Sequence, residues 1–188
     1  MSFLRNILAL LGVVALCSLG WAAFTFRGFD PAAGGLYLGL VQDLAKNGNP
    51  AEAMVWKRKV AEDLSYEEVD ESIRSLAMDL NIRDVGALPL GDQVSSMKGE
   101  DWRKMKVYLY CNPLTAAAMV DYSTAFAAWL PCRVSLVEDE TGALWLYTLN
   151  MDYMLHGGRP LPDAVAAEAE TVRNSILSLM DKAAVGDF

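Results

Sequence analysis

Hydrophobic and polar positions divide the chain into an uninterrupted apolar opening and a longer, alternating remainder. No charged residue occurs between Arg5 and Arg27, a gap of 21 residues. At ~1.5 Å per residue, a helix of that length spans about 30 Å, the hydrocarbon thickness of a bilayer. Leu8, Leu11, Val14 and Leu19 fill the segment, and Trp21, Phe24 and Phe26 gather at its far end. Aromatic residues concentrate at membrane interfaces in this way. The pattern predicts a stub over residues 1–6 and a single transmembrane anchor over 7–26. A cleaved signal peptide is the competing reading. Its apolar region runs only ~7–15 residues and ends in a small-x-small site, to which Gly20-Trp21-Ala22 is a poor match. A lipoprotein reading through Cys17 is weaker still, because Leu16 stands where a small residue is needed.

Residues 27–50 read as a linker. Gly28, Asp30, Pro31, Gly34 and Gly35 interrupt regular structure. Leu36, Leu40, Val41 and Leu44 predict a short helix from Leu36 to Lys46, which Asn47-Gly48-Asn49-Pro50 ends. Residues 51–188 read as one domain. Strand patterns cover Val55–Val60, Arg83–Leu90, Lys106–Tyr110, Arg133–Glu138 and Ala143–Asn150. Pro89 marks the second as an edge, and the last two form a hairpin around Asp139-Glu140-Thr141-Gly142. Ser65 and Glu68 have capping-box spacing, with Leu64 and Val69 placed as a hydrophobic staple. Val69, Ile73, Leu76 and Leu80 continue that helix to Asn81. Asn112 and Pro113 open a second helix, with Met119, Tyr122, Phe126 and Trp129 as its stripe and Pro131 as its stop. A third begins near Asp163 and turns Val165, Ala169, Val172, Ile176, Leu179 and Met180 to one face. Residues 91–105 are polar and read as a loop with a short helical turn. The order of elements argues for an α+β domain with helices packed on a sheet.

Charge narrows the classes of partner. The formal net charge is −8, which argues against nucleic acid, since binding it requires a basic surface. Anionic headgroups also repel such a domain, so attachment to a membrane falls to the anchor. Arg5 precedes the apolar run and Arg27 follows it, which barely discriminates orientation. A short basic stub ahead of a first apolar helix favours the N-terminus inside. In a bacterium this gives a single-pass inner-membrane protein whose domain faces the periplasm.

Cys111-Asn112-Pro113, then Leu130-Pro131-Cys132-Arg133-Val134, then Glu138-Asp139 and Gly142 resemble the family of the domain of unknown function DUF302. The resemblance runs over roughly 51–188 and includes the Gly157-Gly158-x-Pro160-Leu161-Pro162 segment. It implies a compact α+β fold of the TATA-binding-protein-like kind, a mixed sheet with helices on one face, and a possible homodimer. It implies no activity, and the anchor is an addition to the bare domain.

Cys111, Asn112, Cys132 and Tyr110 form the candidate ligand site. Cys111 sits between a strand and a helix start, where the helix dipole favours a thiolate. The alternative is a small buried side chain at a strand–helix junction. A bond between Cys111 and Cys132 is not expected. An unbroken helix of about 16 residues would separate them by ~24 Å and leave them at opposite ends of their strands. Met151, Met154 and His156 are soft and borderline donors suited to Cu(I), although methionine more often fills a core. His156 is the sole histidine, which excludes a histidine-rich zinc site. Glu138, Asp139 and Glu140 read as a solvated turn rather than a calcium loop. Gly157-Gly158 with Arg159 read as a turn or an anion cradle. Trp102, Tyr108, Tyr110, Trp129, Trp145 and Tyr147 line a pocket or fill the core. No triad, phosphate loop or carboxylate pair is recognisable. The first reading is a membrane-anchored accessory domain holding an apolar ligand or a protein partner. A thiol- or copper-handling protein comes second and an enzyme last, with no cofactor otherwise indicated.

Overall fold

The computed structural model describes residues 2–187. Helix α1 runs Ser2–Phe26; it is long and apolar enough to cross a membrane, and none of its residues is buried. Helices α2 (Ala33–Asn47) and α3 (Pro50–Ala53) follow. The sheet comprises β1 (Val55–Lys59), β2 (Arg83–Leu88), β3 (Met105–Cys111), β4 (Cys132–Glu138) and β5 (Leu144–Leu149) in the order β1-β5-β4-β3-β2. Every pairing is antiparallel, so the expected mixed sheet is corrected. The intervening helices are α4 (Tyr66–Asp79), α5 (Leu90–Lys98), α6 (Pro113–Tyr122) and α7 (Asp152–Leu155), and α8 (Asp163–Ala183) closes the chain.

The reason for the antiparallel arrangement lies between β3 and β4. One straight helix to Trp129 would carry the chain to the far end of the sheet and return it parallel. Instead α6 stops at Ser123, whose backbone is extended, and Thr124–Trp129 forms a separate 3-10 helix packed against α6. The excursion therefore returns to the end it left.

Helices α4 and α8 cover one face of the sheet. Val69, Ile73 and Leu76 from α4 meet Ile176, Leu179 and Met180 from α8 over Tyr108, Val134, Leu136 and Leu146. The capping box at the start of α4 is complete: Glu68 N–H donates to Ser65 Oγ at 3.2 Å, and Ser65 N–H to Glu68 Oε2 at 2.7 Å. Asp70 joins α4 to β3, accepting from Lys106 Nζ at 2.7 Å, Arg74 Nη2 at 2.5 Å and the Tyr108 hydroxyl. Met119 of α6, Leu155 of α7 and Ala169 of α8 form a smaller second cluster. Among the described residues no core cluster forms on the other sheet face, where Leu109, Val137 and Tyr147 are half-buried.

One further expectation changes. The polar segment read as a loop contains α5, a full helix ended by Gly99 in the left-handed region. It sits so close to β3 that a Cβ at Gly91 would lie 2.7 Å from Met105 N. The linker is hydrogen-bonded to the domain. Asp30 N–H donates to Gly158 O at 2.8 Å, and Tyr37 Oη donates to Gly157 O at 2.7 Å.

Candidate functional site

Antiparallel pairing of β3 with β4 sets Tyr110 directly opposite Cys132. Cys111 is the next residue along β3, so the two cysteines are neighbours and not at opposite strand ends. Both are free thiols, as expected, but the separation argued from an unbroken helix is corrected by the break at Ser123. Together they border a cavity of about 40 Å³. The first half of α6, the turn before β4, the end of β5, α7 and α8 enclose it. Thr115, Met119, Met151, Met154, Ala169 and Val172 supply most of its wall.

Burial raises the Cys111 thiol above its ordinary value. The Cys132 thiol is pushed up to about 11, chiefly by burial and then by Cys111, against which its backbone hydrogen bond and Arg133 act weakly. The helix-dipole argument for a Cys111 thiolate therefore loses to desolvation. The first N–H groups of α6 are also engaged already, since Leu114 and Thr115 donate to Asn112 Oδ1 at 3.1 and 3.4 Å. Asn112 borders the cavity but spends its carbonyl oxygen on this cap.

Tyr110 does not line the cavity. It faces α4, 1% exposed, with its ring parallel to that of Tyr108 at 6.4 Å. Burial, then the charge of Asp84, raises its phenol, and its hydroxyl is buried without a partner. The Met-x-x-Met-x-His run splits. Met151 and Met154 enter the cavity wall, whereas His156 Nδ1 meets Asp30 Oδ2 at 2.9 Å and lies outside it. Hydrogen bonds hold the Asp30 carboxyl low, first from Ala32 N–H and then from His156. Gly157 and Gly158 offer their carbonyls to the linker. Asp139 organises the hairpin turn, pushed down to about 2 by hydrogen bonds from Thr141, and also from Trp145 and Ala143.

A broader hollow of about 540 Å³ opens at the other end, between the start of α4 and the β4–β5 hairpin. Lys59 pairs there with Glu62 at 2.8 Å and Lys104 with Glu67 at 2.6 Å, while Glu138 accepts the Lys104 backbone N–H at 2.9 Å. The small cavity is the better candidate because its wall is apolar and its two thiols are unpaired. Thr115, Met119, Ala169 and Val172 were missed as site residues. Each carries an ordinary core signal, and only the return of the chain at Ser123 brings them beside the cysteines.

An antiparallel sheet with helices on one face, behind one helix apolar enough to span a bilayer, defines a small α+β domain with an N-terminal apolar helix. Within that class, residues 56–183 match the model for the domain of unknown function DUF302. The match takes in more than half of the chain, and the chain belongs to that family. It is also similar to the crystal structure of an uncharacterised conserved DUF302 protein from Bacillus stearothermophilus, with a TM-score of 0.55 and 15% identity over 69% of this chain and 98% of that one. At that identity the likeness is one of fold. Comparison with curated proteins gives no match.

Proposed function

We propose that this chain is a membrane-tethered binding domain that holds a small apolar ligand in the cavity beside Cys111 and Cys132, with the domain on the periplasmic side of a bacterial inner membrane. The observation that carries the reading is an apolar void at a place where interiors are normally close-packed. At about 40 Å³ it is well below the ~150 Å³ of a cavity that admits benzene. A ligand held there is therefore smaller than benzene or extends beyond the cavity. Native mass spectrometry of the full chain released from detergent tests this. Wild type is expected to carry a small adduct that Ala116→Leu, filling the cavity from its rim, removes without changing the circular dichroism. Bare wild-type protein, or an adduct that survives Ala116→Leu, overturns the reading.

A second reading has its own supporting juxtaposition. Cys111, Cys132, Met119, Met151 and Met154 bring five sulfur side chains to one cavity, and thiolate and thioether sulfur are soft donors that favour Cu(I). Among the described residues no three His, Cys, Asp or Glu side chains gather, so a third donor would be a thioether. Both thiols must lose protons to bind, against the burial that raises them. Competition for Cu(I) with a chromophoric chelator is expected to show uptake by wild type and none by Cys111→Ser/Cys132→Ser. An unchanged chelator spectrum with wild type rejects copper.

A further inference from the structure

We infer that α2 is a second membrane-contact element, whose outer apolar stripe rests in the headgroup–acyl boundary of the bilayer beside α1. This rests on the reading of α1 as a membrane-spanning helix.

The inner face of α2 is docked on the domain. Ala33 is buried, and Tyr37 donates its hydroxyl to Gly157 O. Gly34, Leu38, Val41 and Ala45 recur at helical spacing as an adjacent stripe. Leu38 and Val41 are 59% and 61% exposed there. Gln42, Asp43 and Lys46 occupy the remaining arc. The helix is thus amphipathic, but the domain covers only half of its apolar arc.

Two observations favour lipid on the other half, and the charge of the chain sets the kind of contact. Residues 27–32 are all that separate α1 from α2; the seven steps from Phe26 to Ala33, at ~3.6 Å each, reach no more than about 25 Å. Aromatic side chains continue past the anchor, with Phe26 and Phe29 edge to face at 5.0 Å and Tyr37 lining the same hollow. Such rings concentrate at headgroup level. The charge on the chain, −8, opposes electrostatic attraction to anionic lipid, and Asp43 and Lys46 cancel within α2. The contact is therefore apolar, as in interfacial helices with little net charge. Because α2 packs on α7, which carries Met154 of the cavity wall, it also turns that end of the domain towards the bilayer.

The test uses the full chain in phosphatidylcholine vesicles, with an environment-sensitive fluorescent amino acid replacing Leu11, Leu38, Val41 or Gln42 one at a time. Positions 38 and 41 are expected to lose quenching by aqueous iodide and gain it from lipids carrying a shallow nitroxide. Position 42 is expected to behave oppositely, and position 11 to respond to a deep nitroxide. Adding phosphatidylserine is expected to leave the values at 38 and 41 unchanged. Iodide quenching at 38 and 41, with position 11 still quenched from within the lipid, overturns the inference and leaves the anchor standing. Loss of lipid quenching at 11 as well overturns the anchor reading too. Protection of 38 and 41 from both quenchers shows protein covering the stripe and overturns the inference in favour of a second copy.

Discussion

Tyr108 and Tyr110 stack two residues apart on one face of β3, yet only Tyr108 has a partner for its hydroxyl. Removing a buried group that makes no hydrogen bond relieves its desolvation cost, about 1–3 kcal/mol when the group is wholly unsatisfied. Tyr110→Phe is therefore expected to be neutral or stabilising in a urea titration, whereas Tyr108→Phe is destabilising because Asp70 loses a donor. The reverse order contradicts the assignment. Cys132 makes a prediction with a sign. Its thiol is raised to about 11 from an ordinary value of 9.0, so the folded state holds a proton that the unfolded chain releases first. The contribution is intact below about pH 9 and is lost as pH rises through about 11. Wild type should therefore lose stability over that window more steeply than Cys132→Ala, measured as the shift of urea midpoint with pH. Parallel slopes would place the thiol in water.

Helix α4 was legible in full, because its start is written in local chemistry: Ser65, Glu68, Leu64 and Val69 act within one turn of each other. Ser65→Ala removes one side of the box and is expected to cost ~1 kcal/mol, read as a lower denaturation midpoint with an unchanged slope. The apolar helix α1, the β4–β5 hairpin and α8 were legible for the same reason, a strong local period or turn. Helix α5 was not. Its polar surface gives no periodic signal, and what holds it is backbone contact at Gly91 with a strand far along the chain. The break at Ser123 was also hidden, since Met119, Tyr122, Phe126 and Trp129 keep helical spacing across it. That one break sets the direction of β4, the adjacency of the cysteines and the cavity wall. Cys111 and Cys132 were thus recognisable as site residues before their relation to each other was.

At the scale of the whole chain, the span of α1 predicts how the protein fractionates. Full-length protein is expected to stay with membranes through a carbonate wash, and the chain lacking residues 1–26 to leave the pellet. A mature protein that begins after residue 22 would refute a retained anchor. A retained anchor would also confine many copies to a plane, at a local concentration far above that of a protein free in solution. Exposed sheet edges are hazardous under such crowding, because unpaired backbone groups recruit strands from neighbours. Both edges of this sheet are poorly suited to it. On β1, Lys57, Arg58 and Lys59 fill three of five positions, and each is held in an ion pair, with Glu52, Asp181 and Glu62 respectively. On β2, the register slips between Asp84 and Gly86, where Asp84 Oδ1 takes the Gly86 N–H at 2.8 Å. A straight incoming strand meets a row of ion-paired long side chains on one side and a kinked ladder on the other, so crowded copies are hindered from fusing their sheets into fibres.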